Sequence, residues 1–427
     1  MTQGPPVRSP RRRPHRSRIG VTQMLETPAH PPLRRNREFR LIWLGGVLAG
    51  LGSMIGTLAM PLLVLRETGS PAKAGLLGTV SAVTVLIVII PAGSIVDAGE
   101  RRRLMIRCQL AGSLIAVLIA GFVLAGHPVL LLLLVATAVV SVLGSLYTPA
   151  ASALLRAAVP AGQLGLAVSR LQARTAALQI AGPLIGGALF GLAPALPFAV
   201  RAVALLGSVA CLLCLRTRSA PGPSDDGPMT LSSLTAGFRF VWGERYLRVV
   251  LFVYGAGLTA VYSAVMLVAI SATAEADPSG RSSGLMVAVT AAGSLGGALL
   301  APRLGTPRHP RLLTVLSCWA FAAAIPLLAL VRQPAAVGAV LGAAMFLAAI
   351  GNVAFETEMI RLTPPDLMGR AEAGAIFISL LAQPLGPLGG GVLSESLGPA
   401  LTFLVLGVLA AGLATLLTAF LRPDHES

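Results

Sequence analysis

Long apolar runs recur along almost the whole of this sequence, separated by short polar or arginine-bearing segments. An α-helix needs ~20 apolar residues to cross a bilayer, and each run is about that long. Backbone amides are satisfied inside such helices, so a helix is the form expected for every run in lipid. The sequence therefore predicts an all-α integral membrane protein with twelve transmembrane helices, near 40–65, 75–97, 104–126, 128–154, 171–193, 196–215, 248–273, 283–302, 311–331, 335–360, 371–394 and 399–421.

Composition and charge exclude a soluble chain and a nucleic-acid binder. The 427 residues are 55% hydrophobic and 12% charged, too few polar side chains to cover a soluble core. The net charge of +16 is carried by arginines in the N-terminal segment and in alternate short loops. The opposite loops hold only Arg66, Lys73, Arg281 and Arg332. By the positive-inside rule, both termini are predicted to be cytoplasmic, in a multi-pass protein of the cell membrane.

No metal, cofactor or catalytic group is expected. Cys211 and Cys214 have no second pair of ligands, and the five histidines are scattered outside the apolar runs. No cluster of nucleophile and base appears, which argues against an enzyme. The partners expected are a small-molecule substrate, protons and the lipid bilayer.

The chain divides into two halves around a central linker. Residues 1–38 are rich in proline and arginine and are predicted to be a disordered cytoplasmic segment. Residues 217–247 begin with a proline- and glycine-rich stretch and continue at helical spacing, which predicts a linker with a surface amphipathic helix. The bundles predicted around it span 39–216 and 248–421, followed by a cytoplasmic tail at 422–427.

Internal repetition supports this division. Three short segments recur in order at offsets of 204 to 209 residues: 36–41 with 244–249, 75–77 with 284–286, and 182–187 with 386–391. Three ordered matches indicate a duplicated six-helix unit. Parallel repeats around an axis normal to the membrane build the central cavity of several secondary transporters.

Three segments resemble the major facilitator superfamily. Residues 93–103 resemble its Gly-x-x-x-Asp-Arg-x-x-Arg-Arg signature, with Ala98 in place of the first arginine. Residues 182–187 resemble the end of the antiporter motif of its exporters, and residues 361–370 resemble a loop of the branch with enterobactin exporters and macrolide efflux proteins. The likeness extends over about 36–421. It implies the major facilitator fold, two pseudo-symmetric six-helix bundles in a monomer.

The resemblance also implies a cytoplasmic gate in the first of these segments. The gate motif would comprise Gly93, Asp97, Arg101 and Arg102, with the carboxylate facing a helix end or an arginine of the other half. The alternative is an acid that merely ends a helix beside arginines that set the topology. The matching region of the second half, residues 302–305, has no acid.

Two glycine–proline motifs predict close helix packing. Small residues at these spacings let two backbones approach, and the proline adds a kink. We expect a tight, leak-limiting contact of the antiporter type in each half, formed by Gly182, Pro183, Gly186 and Gly187 and by Gly386, Pro387, Gly390 and Gly391.

Charges inside the predicted helices are the candidate functional groups. Arg201 is expected to hold a carboxylate, phenolate or catecholate in a cavity, or else to snorkel to the membrane surface. Glu356, expected to lie deeper than Glu358, is the candidate proton carrier, while Glu358 is expected to pair with Arg361 at the helix end. Ser53 stands where the resembled branch often has an acid.

These features predict a secondary transporter that exports an amphiphilic drug, secondary metabolite or siderophore by alternating access, with proton antiport. A mostly apolar cavity with few aromatic residues suits such cargo better than sugars. The alternatives are an uptake carrier for an organic anion or nutrient, and a non-transporting membrane receptor or scaffold with the same fold.

Overall fold

The computed structural model describes residues 33–126, 129–216, 238–240, 242–304, 310–331, 333–364 and 367–421, with the side chains of Asp97 and Leu304 outside the description. The first half contains six helices: α1 (Arg37–Thr68), α2 (Pro71–Ala98), α3 (Arg101–Leu124), α4 (Leu130–Ala158), α5 (Leu164–Leu192) and α6 (Leu196–Leu213). The second half contains α7 (Arg245–Ala276), α8 (Arg281–Leu300), α9 (Pro310–Leu327), α10 (Pro334–Leu362), α11 (Met368–Leu381) and α12 (Leu385–Leu421).

Local sequence signals set the turn between α1 and α2. Asn36 caps α1, where its side-chain oxygen accepts from the amide of Phe39 at 3.1 Å. Gly69 ends the helix in the left-handed region, at φ 64°. Ser70 then caps α2 by accepting from the amide of Lys73 at 3.2 Å, and proline occupies the first helical position. Capping and chain reversal thus occupy only a few residues.

The last two membrane crossings differ from the predicted pattern. The eleventh is interrupted between α11 and α12, where Pro384 lacks the amide hydrogen that would continue the helix. The hydroxyl of Thr79 donates to the carbonyl of Pro384 at 2.7 Å, which satisfies a group freed by the break. α12 then bends at Gly398 (φ 77°, ψ 163°), so residues 385–397 complete the eleventh crossing and residues 399–421 form the twelfth.

A second irregularity lies in α7, where Leu251–Leu258 form a π-helical stretch. At Gly255 an added Cβ would lie 2.7 Å from the hydroxyl oxygen of Ser379 on α11. The wider turn brings the α7 backbone close to α11, and π stretches of this kind are often found at functional sites.

Helix directions define two faces of the bundle. We call the face where α1 begins and α12 ends the terminal face, and the opposite face, where α1 ends and α2 begins, the distal face. One large buried apolar cluster, containing Val265, Ile325 and Phe403, belongs to the second half. Two others lie mainly in the first half: one around Leu154, and one around Leu63 that also includes Leu267 of α7. Within the described residues the helices cross the bilayer twelve times, which confirms the predicted fold class.

Several boundaries differ from the predicted ones. α5 begins at Leu164, seven residues before the predicted start. α1 begins at Arg37, inside the N-terminal segment 1–38 that was predicted to be disordered. Most of the predicted linker and of the two termini (1–32, 217–237 and 422–427) lie outside the described residues, so the disordered segment, the amphipathic linker helix and the tail stay predictions.

Candidate functional site

Three adjoining cavities run from the terminal face into the centre of the molecule. The first, about 1010 Å³, lies between the terminal ends of α1 and α5. The second, about 400 Å³, lies inside the first half and shares Leu41 and Arg174 with the first. The third, also about 400 Å³, lies between the halves and shares Ser53, Val140 and Arg201 with the second. The shared residues show that the three cavities adjoin one another in a row, which we call the cavity path.

The third cavity, between the halves, is mostly apolar. The second half contributes Met266, Leu267 and Ile270 from α7, Gln383 from the break between α11 and α12, and Pro387 from the first turn of α12. The first half adds small hydroxyls, among which Ser81 and Ser141 lie 2.8 Å apart. An apolar wall with a few polar groups binds amphiphilic molecules well, because apolar area gives affinity and the polar groups fix orientation.

Arg201 is placed in the cavity path and does not snorkel to the surface. It lines both the second and the third cavity. Its guanidinium packs over Gly56 of α1, with Cζ 3.1 Å from where a Cβ at Gly56 would be. Its Nε is buried without a hydrogen-bond partner. Gly56 therefore makes the room that the guanidinium occupies.

Arg174 on α5 occupies the equivalent place nearer the terminal face. Its Cζ would lie 2.7 Å from a Cβ at Gly46, so a second glycine of α1 makes room for a second guanidinium. It donates weakly to the carbonyl of Trp43 at 3.4 Å, and its Nε has no partner. Sequence reasoning missed Arg174; its place ten residues into α5 became visible only when α5 was seen to begin at Leu164.

The distal face is closed on one side by backbone contact between α5 and α8. A Cβ at Gly187 would lie 2.5 Å from the carbonyl oxygen of Gly280, and one at Gly284 would lie 2.5 Å from the carbonyl oxygen of Pro183. Only residues without side chains fit this spacing, so two helices from different halves meet backbone to backbone.

The other side of the distal face repeats this arrangement between α2 and α12. A Cβ at Gly391 would lie 2.5 Å from the carbonyl oxygen of Pro71, and Gly75 packs directly on the carbonyl of Pro387. The remaining motif glycines face helices of their own half: Gly182 and Gly186 pack on α1, and Gly386 and Gly390 pack on α7. Each motif thus touches one helix inside its half and one helix across the interface.

A carboxylate joins the halves at the same place. Glu395 on α12 accepts hydrogen bonds from the Ser70 hydroxyl at 2.5 Å and the Ala72 amide at 3.1 Å. These donors stand at the N-terminus of α2, where the helix dipole and free amides favour an anion. Sequence reasoning missed this contact, since its partners are 325 residues apart.

The predicted gate motif is only partly visible. Gly93 and the backbone of Asp97 lie in the last turns of α2, but the side chain of Asp97 lies outside the described part of the chain. Arg102 donates to the carbonyls of Leu212 and Leu213 at 2.7 and 2.8 Å, which ties α3 to the end of α6 within the same half. Arg101 begins α3 beside it. A contact of this motif with the other half stays a prediction.

The two acids of α10 are buried in the reverse of the expected order. Glu358 is 4% exposed and lies 3.3 Å from Arg311 and 3.8 Å from Arg361, the second being the expected pair. Glu356 is exposed and accepts from the Asn352 amide at 3.1 Å. The reason is helical geometry: residues two apart point in nearly opposite directions, and the core side of α10 takes Glu358.

The structure offers no metal centre within its described residues, where no group of three histidine, cysteine or acidic side chains comes together. The four cysteines are free. The chemistry available in the path is therefore binding by apolar contact, hydroxyls and guanidinium groups.

Known proteins resemble this chain over most of its length. The family model described as Major Facilitator Superfamily matches residues 42–379. A multidrug efflux pump, Tap, of Mycobacterium tuberculosis is 28% identical over 404 residues, which cover 90% of this chain and 93% of that protein. The crystal structure of the nucleoside transporter NupG superposes with a TM-score of 0.70 at 13% identity, covering 91% of this chain and 100% of that one. An inward-facing bacterial homologue of the iron transporter ferroportin superposes with a TM-score of 0.65 at 16% identity, over 92% and 100% of the two chains.

Proposed function

The chain belongs to the major facilitator superfamily, and from that premise we propose that it is a secondary transporter that exports amphiphilic small molecules, drugs among them, by alternating access. The observation that carries the proposal is the row of adjoining cavities from the terminal face to the inter-half space, together with the backbone contacts that close the distal face. The likeness to a protein named as a multidrug efflux pump supports export and drug-like cargo.

In the proposed transport cycle, the terminal face and the distal face close alternately. With the termini in the cytoplasm, as the arginine distribution predicts, the described state receives cargo from the cytoplasm. Rocking of the halves would then separate the α5–α8 and α2–α12 contacts and close the terminal face, where the gate motif with Asp97 would latch. One chain encloses the whole path, so a monomer suffices.

Glu356 is the proposed proton carrier. It is an acid within a membrane-crossing helix, and its hydrogen-bond partner among the described residues is the neutral Asn352. No ion pair holds Glu356 in its charged form within the described part of the chain, so protonation removes no ion pair. Glu358 is less suited to this role, because a proton on its carboxyl group would break its ion pairs with Arg311 and Arg361.

Everted membrane vesicles test this proposal. A proton gradient is imposed, and its dissipation is followed while drugs, siderophores and organic acids are added, with labelled compound measured inside the vesicles. We expect cargo to accumulate and the gradient to fall in the parent, and Glu356→Gln to abolish both. The exposed acid Glu67, changed to Gln, is the matched control and should behave like the parent.

Three results would contradict the proposal. Accumulation only in right-side-out vesicles would make the chain an uptake carrier. Accumulation without proton movement would remove antiport and the role of Glu356. No movement of any compound by correctly inserted protein would favour a receptor or scaffold.

A further inference from the structure

Arg201 has no counter-ion among the described residues, and its guanidinium lies beside Gly56, near the middle of α1. Its Nε is buried and unpartnered, and its guanidinium packs against the Gly56 backbone of α1. An unpaired charge away from water is unfavourable by several kcal/mol in general, and proteins normally pair such a group or place it where a ligand completes it. No acidic side chain of the described residues forms an ion pair with Arg201.

The cavity path offers no carboxylate that would pair with it. Among the described residues that line the three cavities, every charged side chain is an arginine. Arg174 lies between the first and second cavities, and Arg201 lies between the second and third. Four further arginines, Arg34, Arg37, Arg40 and Arg170, line the first cavity at the terminal face.

The orientation of the chain in the membrane does not account for all the arginines that line the three cavities. The positive-inside rule accounts for arginines at helix ends, such as Arg37 and Arg40, but not for Arg201, which stands near the opposite end of the bundle, one and a half turns into α6 from the distal face. Snorkelling is also excluded, because the guanidinium packs over Gly56 in the cavity path.

We propose that the cargo carries an anionic group, such as a carboxylate, sulfonate or phosphate, that is bound by the Arg201 guanidinium while its apolar part fills the inter-half cavity. Arg174 binds the same anionic group while the cargo moves from the terminal face towards Arg201. The arginines at the terminal face attract the anion to the first cavity. A guanidinium presents several donors to an oxyanion in a fork, which suits all three groups. This inference rests on the proposed transport function and names the cargo class of the same site.

Binding of two matched fluorescent probes tests it. Anilinonaphthalene sulfonate is anionic, and N-phenylnaphthylamine has a similar aromatic body without the charge. Titrations use the full chain in phosphatidylcholine nanodiscs, with empty nanodiscs subtracted. We expect Arg201→Gln to weaken sulfonate binding about tenfold or more and to change binding of the neutral probe less than about twofold. Arg66→Gln, an exposed arginine at the distal end of α1, removes the same charge and should change neither.

Two further variants separate charge from fold. Gly56→Ala should also weaken sulfonate binding, because the added methyl displaces the guanidinium without removing it. Arg201→Met should melt at no lower temperature than the parent, since the unpaired charge contributes no stabilising contact. Equal weakening of both probes in Arg201→Gln, or equal effects of Arg201→Gln and Arg66→Gln, would overturn the proposal.

Lipid headgroups carry the same chemistry as the proposed cargo. Sulfonate titrations are therefore repeated with phosphatidylglycerol in the nanodisc. Unchanged affinity supports a site for cargo, whereas competition by the lipid that disappears in Arg201→Gln would reassign the site to a phospholipid. These titrations need no transport, so a chain inactive in everted vesicles can still bind the sulfonate through Arg201. If Arg201→Gln exported anionic compounds as well as the parent, the proposed function would stand and this inference would be lost.

Discussion

At the scale of single residues, Glu358 is a buried acid held between two arginines at the terminal end of α10. Its partners Arg311 and Arg361 are 55% and 75% exposed, so water screens part of the attraction. We expect Glu358→Gln to lower the free energy of unfolding by about 1–2 kcal/mol, measured by unfolding in detergent micelles.

The neighbouring acid supplies the control for this prediction. Glu356→Gln changes an exposed side chain with one neutral partner and should leave the free energy of unfolding within about 0.5 kcal/mol of the parent. Equal destabilisation by both substitutions would show that the burial difference between the two acids has no energetic meaning.

The sequence located these charged residues but could not say which way they point. Arg201, Glu356 and Glu358 were all identifiable as charges inside apolar runs. Whether Arg201 reaches a cavity depends on how α6 is rotated about its axis and on the space left at Gly56. The sequence of a helix that is apolar all round does not show which side faces the interior. For the same reason, the sequence prediction that Glu356 is more buried than Glu358 was wrong.

At the scale of secondary-structure elements, the contact between α5 and α8 depends on the absence of side chains. We expect Gly284→Leu to force the two helices apart, because its Cβ would start 2.5 Å from the carbonyl oxygen of Pro183. The distance between spin labels at cysteines replacing the exposed Glu67 and Glu275, one on each half, should grow by about 2 Å or more.

Gly121→Leu is the matched control for that substitution. Gly121 is exposed on α3 and has no atom within 4 Å of an added Cβ, so the same change there should leave the label distance unaltered. An unchanged distance in folded Gly284→Leu would mean that the interface yields locally while the halves stay together.

The turn between α7 and α8 is held by Asp277. Its carboxylate accepts from the amides of Ser279 and Ser282 at 3.0 and 3.2 Å and from the Ser282 hydroxyl at 2.7 Å. Hydrogen bonding from Ser279, and then from Ser282, lowers the pKa of Asp277 from 3.8 to about 2. We expect Asp277→Asn to lower the free energy of unfolding by up to about 1 kcal/mol at neutral pH.

The pH dependence of that difference follows from the sign of the shift. Because the pKa is lower in the folded chain, the carboxylate contributes fully above pH 3.8 and loses its contribution as the pH falls through about 2. Unfolding of parent and variant should therefore differ by the same amount at pH 7 and pH 5. A difference that vanishes between these two values would place the stabilising group elsewhere.

Helix existence was predictable at this scale, and helix interruption was not. Length and apolarity predicted every crossing, since lipid allows little else. The break before Pro384 and the π-helical stretch at Leu251–Leu258 depend on partners from other helices, such as the Thr79 hydroxyl and Ser379. Proline and glycine residues indicate where a helix can break or bend, but not at which of these positions it does so.

At the scale of the whole molecule, the two sides of the distal closure differ chemically although the halves are repeats. The α2–α12 side carries Glu395, whereas the position 204 residues earlier is Gly191, which has no side chain to bond with. The sequence repeat predicted both glycine contacts as close packing. It could not predict this asymmetry, because a duplicated pattern shows what the halves share and Glu395 is a difference between them.

Glu395 and Ser70 give a direct test of whether the halves separate at the distal face during transport. Cysteines at these two positions, joined by a short bifunctional thiol reagent in a Cys214→Ser background, should stop transport in vesicles, and reduction should restore it. The exposed Cys214 is removed because it would also react.

A cysteine pair within one half distinguishes arrested rocking from damage by cross-linking. Thr273 and Ser283, whose hydroxyl oxygens lie 2.8 Å apart in the second half, move together in any rocking of rigid halves. Cross-linked cysteines there should leave transport close to that of the uncross-linked variant. If the Ser70–Glu395 cross-link also left transport intact, the distal face would not open in the cycle, and cargo would have to leave by the terminal face through which it entered. Export through two alternately closed faces therefore requires that the first cross-link arrest transport and the second one spare it.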